Sequence, residues 1–167
     1  MKSIKFVRIF SVGMGLALAS GLALADSPHF LFANSSISSA TGALTVAFKE
    51  VGLGTTVTTE SVTLTVDTAS GTYQCFNRGG NHPKAGNKAT VSTSLTTTGT
   101  FPVRNGQTTG ATTAGPPGPG AFSCPSGQDL FLVAVTYTGI TVAGAAGDSL
   151  GATPDPISTG PIMVTIP

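Results

Sequence analysis

A chain of 167 residues with 9% charged side chains and a formal net charge of +1 lacks the basic footprint that nucleic acid requires. Low charge does not mean disorder here, because disorder goes with high net charge and few β-branched residues, whereas Val, Ile and above all Thr are abundant. Such residues are stiff at χ1 and suit a pleated, half-buried surface, so the composition points to an all-β domain.

The chain opens on Lys2, Lys5 and Arg8, continues through the apolar run Ile9 to Leu22, and reaches Ala23-Leu24-Ala25. Positive start, apolar run and small-x-small site are the order of a secretory signal peptide; a membrane span needs a longer run and a stop-transfer flank. The expected division is a leader over 1–25 and a single β-sandwich domain over 26–167, secreted to the extracellular space, periplasm or cell envelope, with no membrane span in the mature part. Three cations leave with the leader, and Lys49, Arg78, Lys84, Lys88 and Arg104 then face seven acids.

The hydrophobic period is two. Phe30 and Phe32 are expected on one face of a first strand. Leu44-Val46-Phe48 and Val62-Leu64-Val66 alternate with polar partners, the mark of a strand with one buried face. Val91, Leu95, Phe101 and Val103 carry the pattern onward. Leu130 to Tyr137 is apolar on both faces and reads as a central strand, continued by Ile140 and Val142 past a bulge at Gly139. Ile162, Val164 and Ile166 predict a last strand, and no window has an amphipathic helical period.

Gly52-Leu53-Gly54, Ala69-Ser70-Gly71 and Asn105-Gly106 are turn signals, Asn-Gly being favoured for type I′ hairpins. Residues 77–88 form a polar loop, 114–121 a stiff proline-rich stretch, and 143–161 a Gly- and Pro-containing connection. Seven to nine short strands with turns at intervals of about ten residues predict an antiparallel β-sandwich, immunoglobulin-like or Greek-key.

Cys75 and Cys124 are an even pair in an exported chain and read as one disulfide, with two free thiols or an intermolecular bridge as alternatives. Gly71-Thr-Tyr73-Gln-Cys75 echoes Gly120-Ala-Phe122-Ser-Cys124. Residues i and i+2 of a strand share a face, so the bridge is expected against Tyr73 and Phe122.

Catalytic signals are sparse. The mature chain has only His29 and His82 to act as a base for a serine, no nucleophile-elbow motif occurs, and the acids Glu50, Glu60, Asp67, Asp129, Asp148 and Asp155 are scattered. A copper site at the new N-terminus through His29 would need the amide that Pro28 lacks. The reading is therefore of a protein without enzymatic activity, cofactor or metal. Arg78, His82, Lys84 and Lys88 cluster without an acid, among glycines that let backbone N–H groups approach an anion, and form the candidate binding loop. The threonine runs read as exposed strand residues.

The run from Tyr73 to Lys88, with Phe122-Ser-Cys124-Pro125 and Leu130–Tyr137, resembles small secreted bacterial proteins of actinobacterial type. That resemblance implies a secreted, disulfide-bonded β domain and brings no activity. Chaperone–usher pilins are also small two-cysteine β domains, and the alternating end of this chain suits strand pairing. However, pilins place a cysteine early and end with a penultimate tyrosine, whereas here Ile166 is penultimate. The leading expectation is an extracellular or cell-envelope interaction protein, its partner a cell-surface protein or a glycan. The alternatives are a carbohydrate-binding module, a pilin-like surface subunit and a secreted hydrolase.

Overall fold

The computed structural model describes residues 27–77 and 87–166, so the leader and most of the 77–88 loop lie outside it. The strands are β1 (His29–Ile37), β2 (Leu44–Val51), β3 (Thr59–Asn77), β4 (Lys88–Pro102), β5 (Gln107–Ala114), β6 (Gln128–Ala143), β7 (Ser149–Gly151), β8 (Ile157–Ser158) and β9 (Val164–Thr165). No helix occurs among the described residues. All strand pairs are antiparallel. A smaller sheet runs β1-β2-β5, and a larger one runs β4-β3-β6-β7, with β8 and β9 also paired to β6.

The core lies between the sheets, where alternation places the apolar residues of β2 and β3. Leu44, Val46 and Phe48 of the smaller sheet meet Val62, Leu64 and Val66 of β3 and Val135, Tyr137, Ile140 and Val142 of β6. Phe48 is the hub of an aromatic row, edge-on to Phe30 at 5.9 Å and to Phe101 at 4.9 Å. A second, smaller cluster joins Tyr73, Leu132 and Ile162 with half-buried Phe122, Leu130 and Val164.

Several departures from the sequence pattern have a backbone cause. Phe30 is buried, but the register slips between Phe30 and Phe32, so Phe32 turns outward while Ala33 turns in. The two phenylalanines do not share a face. Ala69-Ser70-Gly71 is not a turn; it lies inside β3, just past a register shift against β4 between Val66 and Ala69. The inward side switches from Val66 to Ala69 on β3 and from Ile140 to Tyr137 on β6, yet the β3–β6 register stays continuous across this point.

Gly139 makes that shared step possible. Its φ is +69°, a region costly for any residue with a Cβ, and a Cβ there would collide with the Asp67 side chain. Asp155 secures the step by accepting hydrogen bonds from Gly139 N at 3.1 Å and Ile140 N at 2.9 Å. Asn105 and Gly106 have φ of +51° and +70°, the two positive values a type I′ turn requires, and Arg104 and Gln107 exchange both backbone hydrogen bonds across it. The expected last strand contracts to Val164–Thr165, although Ile162 N and Ile166 N still donate to β6 carbonyls.

Candidate functional site

Cys75 and Cys124 are disulfide-bonded, with Cα atoms 5.7 Å apart and a sequence separation of 49. Cys75 is buried on the same face of β3 as Tyr73, and Phe122 packs into the Tyr73 cluster. The aromatic neighbours are thus as the echo predicts. Only the first half lies in a strand, because residues 120–124 form a turn and irregular chain. Tyr73 is buried, and its hydroxyl donates to the Pro117 carbonyl, tying the proline-rich stretch to β3.

Of the candidate loop, Arg78, His82 and Lys84 lie outside the described residues. Lys88 is exposed at the start of β4, paired with Gln74. The loop's two ends are held together at its base. Asn87 Nδ2 donates to Gln128 Oε1 and Gln128 Nε2 donates to Asn77 Oδ1, both at 2.9 Å, while Cys75 N donates to the Asn87 carbonyl at 3.0 Å.

Much of the outer face of the larger sheet carries hydroxyl groups, interrupted on β6 by Ala134 and Ala143 and bounded at one end by the Phe76–Phe131 pair. Inward positions of β3 take the apolar residues, so alternation delivers Ser61, Thr63, Thr65, Ser70 and Thr72 to the outside. The register lines them up with β4 and β6: Thr98 beside Thr63, Thr96 beside Thr65 and then Thr141, and Ser92 beside Ser70, Thr136 and Ser158. Thr63 and Thr98 hydroxyls lie 2.9 Å apart, Thr72 and Thr90 3.2 Å, and Thr136 and Ser158 3.0 Å. Strands stand about 4.8 Å apart and same-face residues about 6.7 Å apart along a strand, so the hydroxyl and methyl groups form a lattice. Asp67, exposed where β3 switches sides, and Asp155, bound to the Gly139 and Ile140 amides, bring negative charge to this region. Separate threonine runs in the sequence do not reveal this lattice, since it depends on which runs the register places side by side.

A second feature was equally hidden. Glu50 on β2, Glu60 on β3 and Asp148 in the β6–β7 turn converge at one end of the sandwich. Glu50 is 0% exposed, and neither its carboxylate oxygens nor those of Asp148 have a hydrogen-bond partner. Glu60 Oε1 accepts from Ala145 N at 2.6 Å. Burial first, then the charges of Asp148 and Glu60, push the Glu50 carboxyl from 4.5 up to about 7. A carboxyl so placed can hold a proton at neutral pH, but it is sealed from solvent and presents no surface to a substrate.

Among the described residues, no group of three ligating side chains is arranged to hold a metal ion, and no helix is long and apolar enough to cross a membrane. His29 is exposed at the start of β1, with Nδ1 2.9 Å from the Ser27 carbonyl. No family model, curated protein or solved structure matches this chain.

Proposed function

We propose that this chain is a secreted, non-catalytic β-sandwich of the small actinobacterial type, acting at the cell envelope or outside the cell by surface contact. The single observation that carries the reading is the hydroxyl lattice across β4, β3 and β6. A face rich in hydroxyl donors and acceptors and sparse in charge, with Asp67 and Asp155 beside it, matches a surface that is itself hydroxyl-rich and carries little charge. The disulfide supports export, since such bonds persist in oxidising compartments, and residues 1–25 supply the leader.

A carbohydrate-binding module is the second reading, favoured by that same chemistry. Against it stands the burial of both tyrosines, in a chain without Trp, where sugar sites favour exposed aromatic platforms.

The test is retention of the disulfide-intact mature chain on intact bacterial cells and on insoluble cell-wall polysaccharide. The Thr65→Arg, Thr141→Arg double variant puts two cations in the middle of the lattice and is expected to lose retention. Retention unchanged in this variant but lost in Arg78→Ala, Lys84→Ala would move the contact to the 77–88 loop. Polysaccharide retention alone would select the module, and release of reducing ends would replace the reading with a hydrolase.

A further inference from the structure

The Glu50 end of the sandwich joins three separate parts of the chain. Glu50 lies on β2 of the smaller sheet, Glu60 begins the buried side of β3, and Asp148 sits in the turn between β6 and β7 of the larger sheet. A Cβ at Gly144 would come within 2.6 Å of Asp148 Oδ1 and 2.7 Å of Glu50 Oε1. Both carboxylates therefore border the space beside Gly144 that a side chain would fill, Glu50 from the smaller sheet and Asp148 from the β6–β7 turn. The turn itself is fixed, with Gly144 N donating to the Asp148 carbonyl at 2.9 Å and Gly147 N to the Gly144 carbonyl at 3.1 Å.

Nothing described there neutralises the charge. β1 places Phe30 opposite Glu50, and its nearest titratable residue, exposed His29, pairs with Val51. β5 places Thr108 opposite, whose hydroxyl donates to the Pro102 carbonyl. Lys49 belongs to the other face of β2, where it lines an open depression with Arg104, Asn105 and Thr109. From β3 and the β6–β7 turn come only Glu60 and Asp148. Four buried carboxylate oxygens without a donor strongly disfavour a state in which both groups are ionised.

We propose that Glu50 and Asp148 share one proton, and that this proton is a latch holding the two sheets together at this end of the molecule. With the proton present, one carboxyl donates to the other and two orphan acceptors become a hydrogen bond. Without it, two like charges face each other in a dry site and the β6–β7 turn is driven off the end of β2.

The sign follows from the raised Glu50 value of about 7 against 4.5. Between these limits the folded chain binds more protons than the unfolded one, so the latch is fully present below about pH 4.5 and is lost as pH rises through 7. The difference corresponds to ~300-fold tighter proton binding in the folded state. The protein is thus built to be firm in acid and looser at one end in neutral or alkaline surroundings.

The experiment follows the Glu50 side-chain carboxyl by carbon NMR across the pH range, with amide hydrogen exchange at Gly144, Ala145 and Gly147 and thermal melting. The expected result is a Glu50 midpoint near 7, with exchange at those three amides, corrected for intrinsic rates, at least tenfold faster at pH 8 than at pH 5. Glu50→Gln keeps a donor without a titrating group and is expected to abolish that pH dependence; Asp148→Asn is the second variant should the first fail to fold. A Glu50 midpoint near 4.5, or corrected exchange rates unchanged between the two pH values, would overturn the latch. Calcium ions raising the melting temperature of the parent at pH 8, but not that of the variants, would overturn it too, in favour of a cation held by the same oxygens.

Discussion

Tyr137, on β6 of the larger sheet, donates its hydroxyl proton to the Gly42 carbonyl 2.7 Å away, in the turn that joins β1 to β2 of the smaller sheet. Both residues are buried. The bond crosses from one layer to the other through the core, and Gly42 is fitted to it: its φ is +73°, and a Cβ would stand 2.8 Å from Leu132 Cδ2.

Replacing Tyr137 with Phe keeps the ring and orphans the Gly42 carbonyl. A buried acceptor left unpaired costs about 1–3 kcal/mol, to be read as a lower urea midpoint with unchanged slope. Burial also holds the Tyr137 hydroxyl up to about 12, from 10.0. The folded chain therefore keeps a proton that the unfolded chain releases, and stability falls as pH rises from 10 through 12. Tyr137→Phe is expected to lose this contribution to alkaline denaturation, followed by tyrosinate absorbance.

Reduction of Cys75–Cys124 frees a loop with a sequence separation of 49. In the chain-entropy account, such a crosslink contributes up to about 4 kcal/mol. Chemical denaturation with and without reductant is expected to show a loss of about 2–4 kcal/mol. Resistance to reductant would mean that packing around Tyr73 and Leu132 carries this end of the sandwich alone.

Gly139→Ala is expected to destabilise by about 1–3 kcal/mol, from the left-handed backbone and the collision with Asp67. Asp155→Ala removes the acceptor of two amides and is expected to cost a similar amount. Because both act on one backbone step, the double variant should cost less than the sum of the singles, which a double-mutant cycle by denaturant melting measures directly.

Phe48→Ala empties the middle of the Phe30–Phe48–Phe101 row. Phe48 is 0% exposed, and truncating a buried phenylalanine costs about 3–5 kcal/mol. Phe101 closes over Gly99 and Gly110, whose missing Cβ atoms leave room for its ring. Calorimetry of Phe48→Leu beside Phe48→Ala is expected to recover part of the loss.

Local chemistry explains what could be read in advance. Alternation on β2 and β3 and the Asn105-Gly106 pair depend on neighbours in the chain, and each appears where the pattern places it. The cysteine pairing followed from there being only two cysteines. Sequence alternation puts Phe32 on the face of Phe30, whereas the structure turns it outward, because a slip of one residue reverses every later face and no residue type announces that slip. The Ala69-Ser70-Gly71 signal marked a real irregularity but the wrong kind, since β4 and β6 keep the chain extended there. The acids looked scattered because Glu50, Glu60 and Asp148 meet only after two sheets have stacked. The hydroxyl lattice likewise required the register of β4, β3 and β6.

The clasp that Gln128 makes with Asn77 and Asn87 gives the scaffold a practical property. Chain leaving at Asn77 returns at Asn87 between fixed posts, secured also by the Cys75 amide on the Asn87 carbonyl. A flexible insert between fixed ends costs only about 0.6 kcal/mol per doubling of its length. Foreign peptides grafted between those posts should leave the melting temperature nearly unchanged, which makes this position a display port on the sandwich.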